Sequence, residues 1–324
     1  MNEAFNPDEL VVTEANPAPA GITASTFRAP DGKRLRYAVS PSALERTRGT
    51  VILLQGRNEN IEKYFETIGE LNRRGYMVAT FDWRGQGGSE RMLRDRRRGY
   101  VRRFGAYVND LEAFIQDVAL PDCRGPFVIL AHSMGGLVAL TAAPRLVNSI
   151  ERMVLSAPLV AFPANRAIGT RGLHRLARLG RWLGLGRLPV APSLLPGRRI
   201  RAASPALSSD PRRLARNAAL AEAAPWLFLG KPTVSWLAAV TGAMRRLEDS
   251  DNIARLGVPT LIVTAGQDAV VDSRAAERLA WRMRSGSSLT IPFARHELLQ
   301  EADRFRAPFM EAFESFTAGA LPLD

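Results

Sequence analysis

The sequence has little of several features that mark particular classes of protein. Cys123 is its single cysteine, so an intramolecular disulfide is excluded. No apolar run approaches the roughly 20 residues that a transmembrane helix needs. The first residues are acidic, with no basic residue before Arg28, which is the reverse of a secretory signal. These features favour a cytoplasmic protein, and the hydrophobic content of 46% predicts a substantial folded core.

Lysine is also scarce, although the chain is strongly basic. Only three of the 44 basic residues are lysines, and the formal net charge is +12. Twelve arginines and a single acid, Asp210, fall between residues 165 and 217, which accounts for most of the excess charge. A local basic patch on a balanced body indicates one charged surface, so we expect no nucleic-acid partner.

Short apolar segments alternate with helical patterns along most of the chain. Two short strands near 25–28 and 35–39 come first, and helices are then predicted between successive apolar strands. This alternation is typical of an α/β fold with a mostly parallel central sheet that helices cover on both faces. The predicted apolar strands are 51–54, 77–81, 127–130, 153–155, 260–264 and 288–291.

The alternation is interrupted once. Residues 158–247 are rich in Arg, Leu, Ala, Pro and Gly and contain no clear strand, and the strand–helix pattern then resumes. We therefore expect an α/β core of residues 22–157 and 248–324, a helical cap insertion at 158–247, and an N-terminal arm at 1–21.

One segment of the insertion has an amphipathic helical pattern. Two interpretations stay open. The leucines could pack on the core while the arginines face water, or a basic helix could rest on an anionic membrane. On a helical projection one face carries Arg171, Arg175, Arg178 and Arg181, and the other carries Leu173, Leu176, Leu179 and Leu183.

Ser133 is the predicted nucleophile. The apolar segment 127–130 runs into Ala131-His132-Ser133-Met134-Gly135-Gly136 and then into a helical pattern. This strand–turn–helix context is the one that a nucleophile elbow requires, although Ala131 stands where G-x-S-x-G has its first glycine. The alternative is a serine in an ordinary loop.

A serine nucleophile needs a base, and the chain has three histidines. His296 follows the last predicted strand, so it lies at the same carboxyl edge of the sheet as Ser133. His132 adjoins the serine and is expected to point elsewhere, and His174 lies among arginines and is expected in solvent. His296 is therefore the predicted base.

The base needs an acid that fixes its tautomer. Asp268 follows the predicted strand 260–264. It gives the chain order Ser, Asp, His, which accompanies a nucleophile elbow of this strand–turn–helix type. Asp272 is the rival, although its place just before Ser273 suits a helix N-cap.

The oxyanion of the tetrahedral intermediate needs two hydrogen-bond donors. The backbone N–H of Met134, directly after the nucleophile, is one candidate. The second is the backbone N–H of Arg57, in the loop after the predicted strand 51–54.

Several motifs in register resemble the lysophospholipase L2 and monoacylglycerol lipase group of α/β-hydrolases, which is often filed with the serine aminopeptidase S33-like hydrolases. The resemblance covers nearly the whole chain. It implies a helical cap over the site, an acyl glycerol ester as substrate and the same Ser-Asp-His triad. The motifs are Gly56-Arg57-Asn58-Glu59, Lys63-Tyr64, Asp82-Trp83-Arg84-Gly85-Gln86-Gly87-Gly88-Ser89, Gly99-Tyr100-Val101, Tyr107-Val108-Asn109-Asp110-Leu111, Ala131-His132-Ser133-Met134-Gly135-Gly136, Ser208-Ser209-Asp210-Pro211 and Pro232-Thr233-Val234-Ser235-Trp236-Leu237.

The sequence thus predicts ester hydrolysis through an acyl-enzyme, with a lysophospholipid or monoacylglycerol as the preferred substrate and with neither metal nor organic cofactor. A cytoplasmic enzyme whose basic cap touches an anionic membrane is the matching location. The alternatives are a general carboxylesterase or thioesterase for small soluble esters and a proline-selective aminopeptidase. The non-enzymatic alternative is a basic membrane- or nucleic-acid-binding protein built on an inactive hydrolase fold.

Overall fold

The computed structural model describes residues 9–163, 169–190 and 204–318 of the 324-residue chain. Residues 1–8 of the expected arm, and residues 164–168 and 191–203 of the expected insertion, lie outside the described residues. Four of the twelve clustered arginines fall in those two stretches of the insertion.

The described strands form one sheet in the order β1-β2-β4-β3-β5-β6-β7-β8. β1 and β2 pair antiparallel, as do β2 and β4, and every other neighbouring pair is parallel. The strands are β1 Thr23–Arg28, β2 Arg34–Ser40, β3 Gly49–Leu54, β4 Tyr76–Phe81, β5 Phe127–His132, β6 Arg152–Ser156, β7 Thr260–Ala265 and β8 Gly286–Ile291.

Helices connect most of these strands. α2 continues through a π-helical turn at Ile115–Ala119 into α3, and a 3-10 turn at Ile61–Tyr64 precedes α1. The described helices are α1 Phe65–Arg73, α2 Gly105–Phe114, α3 Leu120–Asp122, α4 Met134–Leu146, α5 Thr170–Trp182, α6 Pro211–Ala223, α7 Val234–Arg246, α8 Ser250–Ala254, α9 Ser273–Arg282 and α10 Asp303–Ala318.

The wholly apolar strands are explained by helices on both faces of the sheet. Val51 and Leu53 of β3 belong to a core cluster that includes residues of α1 and α10. Ile52 and Leu54 belong to a second cluster with residues of α2 and α4. Successive side chains of a strand point to opposite faces, so both faces are buried. The predicted mostly parallel α/β sheet with helices on both faces is confirmed.

The chain between β6 and β7 contains α5, α6, α7 and α8. The expectation that His174 lies in solvent is wrong, and so is the interpretation in which all four leucines of this segment pack on the core. His174 is buried, at 8% exposure, and its Nδ1 lies 3.0 Å from Thr241 Oγ1 of α7. Leu176 and Leu179 are exposed. The reason for both is that α5 packs on α7 through a narrow stripe of the helix that includes Leu173 and Ala177, rather than through all its leucines. Within the described ranges, no helix is both long and apolar enough to cross a membrane.

Candidate active site

Ser133 lies in the sharp turn between β5 and α4. Its φ of 51° is in the left-handed region, which a residue other than glycine adopts rarely and which often marks a functional site. Small residues allow the close packing behind this turn. A Cβ on Gly135 would lie 2.6 Å from the carbonyl oxygen of Leu54, so a side chain there would push α4 away from β3. The backbone therefore has the geometry of a nucleophile elbow.

The structure brings the predicted nucleophile, base and acid together at one edge of the sheet. His296 Nε2 lies 3.1 Å from Ser133 Oγ, and His296 Nδ1 lies 2.7 Å from Asp268 Oδ2. The three residues follow β5, β8 and β7, and the carboxyl ends of parallel strands meet at the same edge. The N–H groups of Val270 and Val271 donate to Asp268 Oδ1 at 2.7 and 2.9 Å, which fixes the carboxylate.

Asp272 has a different place. Its side chain accepts a hydrogen bond of 2.9 Å from the N–H of Ala275 and caps the N-terminus of α9. This is the N-cap role that its sequence position suggests. Of the two aspartates, only Asp268 hydrogen-bonds to His296.

The acid and the base shift each other's protonation. Burial alone would lower the pKa of His296, but the charge of Asp268 and its hydrogen bond outweigh burial and raise the pKa above 6.5. Burial would raise the pKa of Asp268, but His296 and two backbone N–H groups lower it. Asp268 is thus an anion near neutral pH, and an Nδ1–H on His296 leaves Nε2 free to accept the proton of Ser133.

The two predicted oxyanion donors are the backbone amides of Met134, next to the serine, and of Arg57, in the loop after β3. Met134 is the first residue of α4, and the first four N–H groups of a helix have no acceptor within it. On the other loop the N–H of Gly56 is taken, because it donates to Glu59 Oε2. None of the described residues accepts a hydrogen bond from the next amide, that of Arg57.

A buried charged cluster, not predicted from the sequence as part of the site, lies beside the triad. Lys63 Nζ lies 2.7 Å from Glu59 Oε1 and 2.6 Å from Glu297 Oε1, and all three side chains are about 5% exposed. Glu297 directly follows His296, and Glu59 holds the N–H of Gly56. The cluster therefore links the loop of the base to the loop that carries the Arg57 amide.

His132 packs against His296, the predicted base, and its own hydrogen bond goes to a different strand. The two imidazole rings lie 4.8 Å apart, and His132 Nδ1 donates to the carbonyl of Ser156 at 3.1 Å. Burial lowers the pKa of His132 to about 4, so this ring is neutral near neutral pH. A neutral ring keeps a second positive charge away from His296.

Comparisons with known proteins identify the family of the chain. The family model described as serine aminopeptidase, S33 (Hydrolase_4) matches residues 45–303. Lysophospholipase L2 of Escherichia coli strain K12 is 30% identical over 281 residues, which cover 82% of this chain and 79% of that protein.

Two solved structures show the same fold. A soluble variant of monoglyceride lipase from Saccharomyces cerevisiae, in complex with a substrate analog, has a TM-score of 0.74 and 21% identity over 95% of this chain and 99% of that one. A carboxyl esterase from Bacillus coagulans, in complex with glycerol, has a TM-score of 0.76 and 19% identity over 92% and 98%. The chain therefore belongs to the serine aminopeptidase S33 family and is a serine hydrolase of the α/β-hydrolase fold, which confirms the resemblance to the lysophospholipase L2 and monoacylglycerol lipase group.

Proposed function

We propose that this protein hydrolyses the carboxylic ester of single-chain lipids, lysophospholipids or monoacylglycerols, through an acyl-enzyme on Ser133. The observation that carries the proposal is the hydrogen-bonded series Asp268, His296 and Ser133, with the serine at an elbow. Similarity to lysophospholipase L2 of Escherichia coli supports the substrate class.

In this mechanism His296 Nε2 takes the proton of Ser133 Oγ as the oxygen attacks the ester carbonyl. Asp268 stabilises the imidazolium that forms. The imidazolium then gives the proton to the leaving glycerol oxygen, and an acyl-serine remains. A water molecule, deprotonated by the same histidine, releases the fatty acid and restores Ser133.

Negative charge develops on the carbonyl oxygen during both attacks. The N–H groups of Met134 and Arg57 are the donors that we assign to this oxygen. Such backbone donors need no rearrangement when the charge appears, and losing one typically costs roughly 10²–10³-fold in rate.

We also propose that the insertion at 158–247 acts as a cap over the site. Two contacts tie it to the loop after β3. Asn58 Oδ1 accepts a hydrogen bond from the N–H of Leu229, and Arg57 Nη2 donates to the carbonyl of Gly230 at 2.7 Å. A substrate at Ser133 would then lie between the sheet edge and these cap residues.

The exposed face of α5 and the residues after it supports a proposed contact with anionic membrane. Trp182 is 81% exposed, and Leu179 and Leu183 are also exposed. Arg175 and Arg178 lie exposed on the same helix. Apolar and cationic side chains together on one surface suit the interface of a membrane that carries negative lipids.

The test compares kcat/KM for a long-chain lysophospholipid, a monoacylglycerol with the same acyl chain and a soluble butyrate ester. We expect the long-chain lipids to be preferred and the Ser133→Ala variant to be inactive on all three. A wide margin in favour of the butyrate ester would contradict the lipid substrate and would indicate a general carboxylesterase.

A further inference from the structure

Among the described residues, arginines with buried guanidinium nitrogens fall into two sets. In the first set the guanidinium contacts carboxylates. Arg36 pairs with Glu62 and Asp82, Arg84 with Asp31 and Asp110, and Arg213 with Glu66, Asp210 and Asp303. In the second set, Arg57 and Arg91, no carboxylate of a described residue lies within 4.0 Å of the guanidinium, and both side chains keep buried nitrogens without an acceptor among those residues.

Arg57 is the member of the second set that lies in the loop after β3, where the preceding residue, Gly56, packs against His132. Its Nη2 donates to the carbonyl of Gly230, and its Cζ lies 5.2 Å from the ring centroid of Trp236. Its Nε is buried and has no acceptor within the described part of the chain. Burial lowers the pKa of Arg57 to about 10, so the group still carries its charge at neutral pH.

Burying a guanidinium nitrogen without an acceptor is costly even in a partly exposed side chain, and a neighbouring aromatic ring offsets only part of that cost. An anionic ligand that accepts from this guanidinium would remove the penalty. The position of Arg57 indicates which part of a substrate it reaches, because the same residue supplies the backbone amide that we assign to the oxyanion.

A lysophospholipid and the side chain of Arg57 span the same number of covalent bonds between the groups that would interact. In a lysophospholipid, six bonds separate the ester carbonyl carbon from phosphorus, through the ester oxygen, three glycerol carbons and the phosphate ester oxygen. In arginine, six bonds separate the backbone nitrogen from Cζ. Both spans are roughly 7 Å when extended. A substrate whose carbonyl oxygen meets the Arg57 amide can therefore bring its phosphate to the Arg57 guanidinium.

We propose that the side chain of Arg57 binds the phosphodiester of a lysophospholipid head group and so selects this substrate over a neutral monoacylglycerol. This inference rests on the proposed ester hydrolysis. A monoacylglycerol has a hydroxyl group where the lysophospholipid has the phosphodiester. It can accept a neutral hydrogen bond there, but it cannot compensate the charge of Arg57.

The experiment measures kcat/KM for octanoyl lysophosphatidylcholine and for 1-octanoylglycerol, both below their critical micelle concentrations, so that membrane binding does not contribute. We expect Arg57→Gln to lower the ratio of the first value to the second at least tenfold. Arg57→Lys, which keeps the charge, should restore part of the ratio. The ratio is used because the Arg57 amide also belongs to the proposed oxyanion site.

Arg91→Gln is the matched control. Arg91 also keeps buried guanidinium nitrogens without a carboxylate partner among the described residues, and its Nη2 donates to the carbonyl of Trp226, in the same cap segment as Gly230. We expect the ratio in this variant to stay within about twofold of wild type. An equal loss of both substrates in Arg57→Gln, or an equal fall of the ratio in Arg91→Gln, would overturn the head-group assignment.

A second measurement does not depend on the folding of any variant. Glycerophosphocholine should inhibit hydrolysis of a soluble butyrate ester by the wild-type protein at lower concentrations than glycerol or inorganic phosphate. Equal inhibition by the three compounds would contradict a head-group site. Failure of the proposed function itself looks different, because the wild-type protein would then hydrolyse neither octanoyl lipid.

Discussion

The edge of the sheet and the exposed face of α5 place charged groups in opposite surroundings. At the sheet edge the side chains of His296 and Asp268 are 4% and 1% exposed and touch each other, and Lys63 is enclosed by two glutamates. On α5, Arg175 and Arg178 lie in solvent next to exposed leucines. The first arrangement fixes protons and loops in position, because ion pairs are stronger where water is excluded. The second arrangement suits the proposed contact with an anionic membrane.

The largest effect is expected for Asp268→Asn, which removes the charge beside the base. The asparagine favours the wrong tautomer of His296, so we expect kcat/KM on a butyrate ester to fall about 10⁴-fold. Activity requires neutral His296, so it rises with pH through the pKa of this group. Asp268 raises that pKa, and burial lowers it. The acid limb of the pH profile should therefore move to lower pH in the variant, and a move to higher pH would contradict the assignment.

Lys63→Met tests whether the buried cluster depends on its central charge. The variant leaves the carboxylates of Glu59 and Glu297 buried without their cation, so we expect a loss of about 3–5 kcal/mol in the free energy of unfolding. This corresponds to a fall of roughly 4–7 °C in Tm, measured by thermal unfolding.

Lys33→Met is the control for that substitution. Lys33 also pairs with a glutamate, Glu90, at 2.6 Å, but its side chain is 35% exposed. An exposed pair is worth about 1 kcal/mol or less. Equal destabilisation by the two variants would show that burial does not determine how much the Lys63 cluster contributes to the free energy of unfolding.

Asp272→Ala should have a smaller effect, and mainly on stability. Loss of the N-cap of α9 is expected to cost about 1 kcal/mol, with kcat/KM within about threefold of wild type. Thermal unfolding and butyrate hydrolysis check the two parts. A loss of activity comparable to that of Asp268→Asn would mean that the acid has been assigned to the wrong aspartate.

The smallest effect is expected on the surface of α5. Trp182→Ser should reduce binding to vesicles that contain anionic lipid by a few-fold, measured by co-sedimentation. Trp281→Ser is the matched control, because Trp281 of α9 is 75% exposed and lies outside α5. Unchanged binding of Trp182→Ser would remove the proposed membrane contact.

Much of the candidate active site could be predicted, because short sequence segments encode the strands and turns that carry its residues. The segment 127–136 carries both the strand and the elbow around Ser133, and Asp268 and His296 each follow their own strand. In a parallel sheet, residues that follow strands meet at one edge, so chain order alone predicted their proximity.

Contacts between distant segments could not be predicted in this way. Lys63 and Glu297 are separated by 234 residues, and no local pattern indicates that they pair. Three signals pointed to this cluster: the four-residue spacing of Glu59 and Lys63, the family motifs that contain these two residues, and the place of Glu297 beside His296. His174 was misassigned and the environment of the leucines was left open, because the packing of α5 on α7, and not the helical period, decides which face is buried.

Labelling with a fluorophosphonate probe, followed by mass-spectrometric mapping of the modified peptide, tests whether Ser133 is the nucleophile. We expect one adduct per chain, on Ser133, and no adduct in Ser133→Ala. An adduct on another serine, or equal labelling of the variant, would contradict this assignment.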